Sequence, residues 1–196
     1  LKVLRNINDS KKLFYYPGSP SIMSYVTDNS DRLSFYELHN NEFQLLRKNF
    51  IKKTNCKVFH KDGFEFLKQK INVNEKTLVL IDPSYEIKDD FEKVVKTLKE
   101  LNSNYTNLTA IVWYPVLNIE NNDLFIDNIR RIGSNRITRI EIPLKKYNDE
   151  IGMKGSGIIL FDGNDFLINN LRAFTKEIQP IFKDENCNIR PKIQRI

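Results

Sequence analysis

Cysteine is nearly missing from this sequence: 196 residues hold two, Cys56 and Cys187. They stand far apart and form no metal-ligand spacing, so neither a disulfide framework nor a metal site is expected. Histidine is as sparse, and neither His39 nor His60 has a partner at a spacing diagnostic of acid–base chemistry. Both read as structural or surface residues. No apolar run approaches the roughly 18 residues that a membrane helix needs, and the opening residues lack the apolar centre of a signal peptide. The expectation is a cytoplasmic protein without membrane attachment. No repeat, low-complexity tract or linker divides the chain. What is present is material for a core: 40% hydrophobic and 11% aromatic content excludes disordered and fibrous classes, and the length suits one domain. A formal net charge of +6 suits a polyanionic partner, because lysines and arginines that neutralise phosphates release counterions. A Lys-, Asn- and Ile-rich composition weakens that inference.

Apolar periodicity alternates between two kinds of segment. A strand-like run from Leu33 to Leu38 precedes a helical pattern carrying Phe43, Leu46 and Phe50. Val58-Phe59 is a short strand, followed by Asp62 in a capping position and a helix showing Phe64, Leu67 and Ile71. Leu78 to Ile81 is a continuous apolar run, as expected of a strand covered on both faces, and it leads into Asp82-Pro83-Ser84-Tyr85. A helix with Phe91, Val94, Val95, Leu98 and Leu101 follows, then a strand at Ala110 to Trp113 and a helix with Phe125, Ile129 and Ile132. Thr138 to Ile142 alternates like a half-exposed strand, and Gly157 to Phe161 is its candidate antiparallel neighbour. A last helix carries Leu167, Leu171, Phe174 and Ile178, and the tail from Asp184 has no clear period. This alternation predicts an α/β fold with a mostly parallel sheet and helices on both faces. Ligands in such open sheets bind beyond the carboxyl ends of the strands. Glu37, Asp62 and Asp82 each fall at or just after such an end, as a cofactor with hydroxyl and amino groups would require.

Asp82-Pro83-Ser84-Tyr85 carries the most chemistry. The exocyclic amine of adenine is a poor nucleophile because its lone pair is delocalised into the ring. A carboxylate and a main-chain carbonyl accepting its two hydrogens would turn that lone pair toward a methyl donor, and a loop beginning Asp-Pro supplies both. Tyr85 offers a π face for the base. An ordinary strand-to-helix turn is the competing reading at this stage. Glu37 would accept from ribose hydroxyls, or is a solvated surface residue. Asp62-Gly63 would meet an adenine amino group with close backbone approach, or caps a helix. Tyr15-Tyr16-Pro17-Gly18-Ser19-Pro20 is an unusually aromatic turn.

Taken in order, Tyr15 to Pro20, Glu37-Leu38-His39, Asp62-Gly63, Leu80-Ile81-Asp82-Pro83, Trp113-Tyr114-Pro115-Val116, Gly152-Met153 and Ser156-Gly157 resemble the RlmJ family of 23S rRNA adenine-N6 methyltransferases. The resemblance covers nearly the whole chain and weakens in the tail. It implies a Rossmann-like S-adenosylmethionine methyltransferase fold, methyl transfer to adenine N6 and 23S ribosomal RNA as partner, in a monomer. Residue by residue, Asp82 corresponds to the catalytic carboxylate, with Pro83 and Tyr85 completing the Asp-Pro-Pro-Tyr motif. Ser19, Glu37, Asp62 and Gly63 correspond to residues that bind S-adenosylmethionine. A DNA adenine methyltransferase and an inactive RNA-binding remnant are the alternatives.

Two departures from the family stand out. Ser84 replaces the second proline of the motif, which implies a looser loop and slower catalysis. The family's N-terminal segment, first strand with its Asp-x-His-Ala-Gly-x-Gly loop, and inserted helical subdomain find no match here, and residues 1–13 resemble the end of that subdomain. Residues 1–196 are thus expected to be one incomplete methyltransferase domain with the first strand missing from the middle of its sheet. Such a segment alone is expected to bind the cofactor poorly and to be inactive.

Overall fold

In a computed structural model, residues 2–8, 12–68, 75–87, 89–117, 119–143, 152–178, 180 and 192–196 are described. The chain divides into two compact units, Leu1–Gln69 and Lys70–Ile196.

The first unit contains α1 (Lys2–Ile7), α2 (Ser19–Val26), β1 (Leu33–Tyr36), α3 (Asn40–Phe50), β2 (Cys56–Phe59) and α4 (Gly63–Lys68). Strands β1 and β2 pair in parallel, with Leu33 opposite Cys56 and Tyr36 opposite Phe59. Parallel neighbours need a crossover, and α3 is that crossover. Aromatic rings supply the packing: Tyr36 stacks on Phe59 and Phe66, and Phe35 meets Phe50 edge-on at 4.9 Å. The ring of His60 stacks on Phe43 and its Nε2 lies 3.0 Å from the carbonyl of Leu38, which is a structural placement.

The second unit holds β3 (Thr77–Ile81), α5 (Asp89–Asn104), β4 (Leu108–Val116), α6 (Ile119–Arg130), β5 (Ile137–Pro143), β6 (Gly155–Phe161), α7 (Asp165–Ile178) and β7 (Lys192–Arg195). The five strands form one sheet in the order β3-β4-β6-β5-β7. β3 and β4 are parallel, and β6 runs antiparallel to both β4 and β5. Strands β3, β4 and β5 therefore point one way and β6 and β7 the other, which completes an α/β fold of the expected class. The antiparallel neighbours expected near Ile140 and Ile158 are β5 and β6. Helix α7 covers one face, where Leu167, Ile168 and Leu171 pack with Ile111, Ile140, Ile158, Leu160 and Ile193. Side chains alternate along a strand, so Tyr114 and Glu141 lie on the other face. There Phe125 of α6 meets both Tyr114 and Phe91 of α5 at 5.1 Å between ring centroids.

Two expectations need correction. Leu78 and Leu80 are 50% and 36% exposed, so β3 is not covered on both faces; among the described residues it pairs on one side only, with β4. β5 is not half-exposed, because it lies between β6 and β7 and its polar Thr138 and Glu141 are buried. Within the tail, whose sequence has no clear period, Lys192–Arg195 forms β7 against β5 through main-chain bonds.

Burying Glu141 demands partners, and it has them. Its Oε1 accepts the Tyr114 hydroxyl at 2.8 Å and an Arg139 guanidinium N–H at 2.6 Å. Gly157 is the register partner of both Tyr114 and Glu141, and the Tyr114 ring lies over it. A Cβ there would stand 2.1 Å from Tyr114 Cζ. The ring is fully buried and its hydroxyl is fixed, so it cannot yield cheaply. Gly157→Ala is expected to cost at least about 1–3 kcal/mol of stability by overpacking, read from the midpoint of urea unfolding. An unchanged midpoint would mean that the ring moves freely.

Candidate active site

Each unit carries its own set of expected site residues. In the first, Glu37 follows β1 and Asp62 follows β2, so both carboxylates stand at the carboxyl end of the same parallel strand pair. Glu37 Oε1 accepts the main-chain N–H of His39 at 2.7 Å, and Asp62 Oδ1 accepts that of Phe64 at 2.8 Å. One oxygen of each carboxylate is thereby aimed by its own turn, and among the described residues the second makes no hydrogen bond. Two half-buried carboxylates with an acceptor to spare fit a ligand that presents hydroxyl and amino donors. Gly63 opens α4 beside Tyr36, and Ser19 opens α2 after Gly18. No hydrogen bond among the described residues links Ser19 to the two carboxylates.

In the second unit, β3 ends at Ile81 and delivers Asp82 to the surface. Pro83 is half-buried, Ser84 is exposed, and the chain then turns sharply at Tyr85 with φ of 56°. A side chain in this left-handed region costs about 1–3 kcal/mol and persists only where its surroundings hold it. Three contacts do so here. The Tyr85 N–H donates to Asp90 Oδ2 at 3.2 Å, its hydroxyl donates to the Trp113 carbonyl at 2.5 Å, and its ring packs 4.6 Å from that of Phe91. Burial, and then the charges of Asp82 and Asp90, raise the hydroxyl well above the usual tyrosine range, so it remains a donor at neutral pH. The loop is therefore built: an exposed carboxylate, a proline, and an anchored tyrosine.

Asp90 and Trp113 are the additions that the structure makes to this site. Beside Asp89, Asp90 has the sequence of an ordinary acidic helix start, and the only hint of its role is its distance of five residues from Tyr85. Among the described residues no group of three or more His, Cys, Asp or Glu side chains could hold a metal ion, and no helix is long and apolar enough to cross a membrane.

The exposed Asp82 also sets the expectation for Ser84. Proline there restricts the unfolded chain, so Ser84→Pro is expected to raise stability by about 0.4–1 kcal/mol, read from the midpoint of urea unfolding. A lowered midpoint would show that the main chain at Ser84 does not accept a proline ring.

Comparison with known proteins adds an independent line. The family model described as ribosomal RNA large subunit methyltransferase D, RlmJ, matches residues 1–186. The chain is 34% identical over 163 residues to ribosomal RNA large subunit methyltransferase J of Escherichia coli and 33% identical over 164 residues to that of Haemophilus influenzae. Each match covers 83% of this chain and 58% of the relative, so the chain spans less than two thirds of their length. A crystallised protein from Legionella pneumophila superposes with a TM-score of 0.88 at 29% identity, over 99% of this chain and 72% of that one. By the extent of the family match and the order of its motifs, the chain belongs to the RlmJ family of ribosomal RNA large subunit methyltransferases.

Proposed function

We propose that the protein transfers a methyl group from S-adenosylmethionine to N6 of an adenine in 23S ribosomal RNA, with Asp82 as its catalytic carboxylate. The observation that carries the reading is Asp82 exposed at the carboxyl end of β3, on a loop whose shape is held by Tyr85, in a chain of this family. When bound, S-adenosylmethionine supplies an electrophilic methyl group on a sulfonium. Glu37 would accept from its ribose hydroxyls and Asp62 from its adenine amine, while Gly63 would permit close approach of the backbone and Ser19 would add a polar contact. Asp82 would accept one hydrogen of the substrate amine and the Pro83 carbonyl the other, turning the nitrogen lone pair out of the ring plane. Forming the N–C bond breaks the methyl–sulfur bond and leaves a neutral thioether, and the proton that the amine sheds would pass to Asp82. Tyr85 closes the loop beneath the base. The positive net charge and the exposed Arg47, Lys48, Lys52, Lys53 and Lys57 supply phosphate-binding capacity.

Labelled S-adenosylmethionine offered to the full-length protein with 23S rRNA, or with duplex DNA, tests this directly. Transfer to rRNA adenine supports the reading, transfer to DNA supports the alternative adenine methyltransferase, and salt-sensitive RNA binding without transfer supports a binding protein.

A further inference from the structure

Asp90 is 7% exposed, and its carboxylate is used by none of the steps above. It stands in the first turn of α5, yet it reaches backward rather than into its own helix. Its Oδ2 accepts the main-chain N–H of Tyr85, five residues upstream, at 3.2 Å, and its Oδ1 lies 3.5 Å from Lys93 Nζ. The N–H of Asp90 in turn donates to the carbonyl of Ile87 at 3.0 Å, which ties the carboxylate's own backbone to the stretch between loop and helix. The N–H that it holds belongs to the residue with positive φ that ends the Asp-Pro-Ser-Tyr turn. The tyrosine hydroxyl and ring are anchored elsewhere, to Trp113 and Phe91, whereas Asp90 grips the main chain at the end of the loop.

We infer that Asp90 is a positioning residue for methyl transfer: its buried carboxylate fixes the main chain at Tyr85 and thereby the direction in which Asp82 and the Pro83 carbonyl meet the substrate amine. The inference rests on the function proposed above. Orientation at a reacting centre is worth much, since a displacement of about 1 Å can cost on the order of a hundredfold in rate. Asp90 acts only through the loop, so its loss should appear in turnover and leave the binding of S-adenosylmethionine alone. The acceptor oxygen is what matters, whereas the half-exposed ion pair to Lys93 is incidental.

The test uses the full-length protein with 23S rRNA and S-adenosylmethionine, together with amide hydrogen exchange at Tyr85. Asp90→Ala is expected to lower kcat by about 10- to 100-fold with KM for S-adenosylmethionine within about twofold. Tyr85 amide exchange should rise by a similar factor of about 10 to 100, as expected for loss of a hydrogen bond to a charged acceptor. Asp90→Asn keeps an acceptor and should retain kcat within about fivefold, and Lys93→Met should match wild type. Unchanged kcat in Asp90→Ala, equal damage in Asp90→Asn and Asp90→Ala, or equal damage in Lys93→Met would each overturn the inference. Should Asp90→Ala fail to fold, Asp90→Asn decides: the weaker neutral acceptor should raise exchange and lower kcat together, and exchange that rises with kcat unmoved counts against the role. If wild type transfers no methyl group to rRNA, the proposed function fails on its own, and unaltered Tyr85 exchange in the Asp90 variants would then sink the positioning role separately.

Discussion

Asp82→Ala in the full-length protein is expected to lower kcat for methyl transfer to ribosomal RNA by about 10²–10⁴-fold, the range attributed to a positioned acid–base group. Asp82 is exposed, and a urea midpoint measured on the same variant separates a loss of turnover from a loss of folding. Binding of S-adenosylmethionine, measured by calorimetry, should stay within about threefold of wild type, because the carboxylates assigned to the cofactor are Glu37 and Asp62 rather than Asp82. That separation is the informative part. A variant that loses binding and turnover together would move Asp82 into the cofactor site, and one that keeps kcat within about tenfold would remove it from the chemistry. Asp82→Asn should fall between the two, since the amide offers one acceptor oxygen but cannot take the proton that the amine sheds.

The residues that could be read from sequence are those whose role is local. The strands read at Leu33 to Leu38, Ala110 to Trp113 and Gly157 to Phe161 were legible because apolar residues repeat there, and the end of β3 was legible because Asp-Pro makes a turn. What could not be read depends on partners distant in sequence. An apolar run such as Leu78 to Ile81 is the same string whether or not both faces are covered, so the exposure of Leu78 and Leu80 had no signature. Lys192–Arg195 forms a strand through main-chain bonds to β5 and has no side-chain period to betray it. Asp90 looks like any acidic residue at the start of a helix until Tyr85 is seen to turn back over it. Most misleading was Glu141, because an alternating polar residue ordinarily signals solvent. It sits on the buried face of β5, reached by Arg139 two residues away on the same face and by Tyr114 across Gly157.

That placement makes Glu141 the position where one truncation should hurt the fold most. Glu141 is 1% exposed and the Arg139 side chain 11%, so Glu141→Ala leaves a nearly buried guanidinium and a buried tyrosine hydroxyl without their acceptor. Breaking a buried pair in this way costs about 3–5 kcal/mol, a large share of the roughly 5–15 kcal/mol by which domains are stable. The expected result is a much lower urea midpoint with little change in slope. Replacing the pair together is a different matter: Glu141→Leu with Arg139→Met removes both charges, so the double variant should recover most of the loss and can equal wild type. The tyrosine gives a further check through pH. Burial first, and then the Glu141 charge, raises the Tyr114 hydroxyl above its usual range, so the folded chain binds that proton more tightly than the unfolded one. Its contribution is fully present below the unfolded tyrosine value of about 10 and is lost as pH rises beyond it. Wild type should therefore lose stability above about pH 10 more steeply than Tyr114→Phe, which lacks the proton and the bond. Equal slopes for the two proteins, or a Glu141→Ala variant weakened by less than about 1 kcal/mol, would show that the network is not what holds β4, β5 and β6 in place.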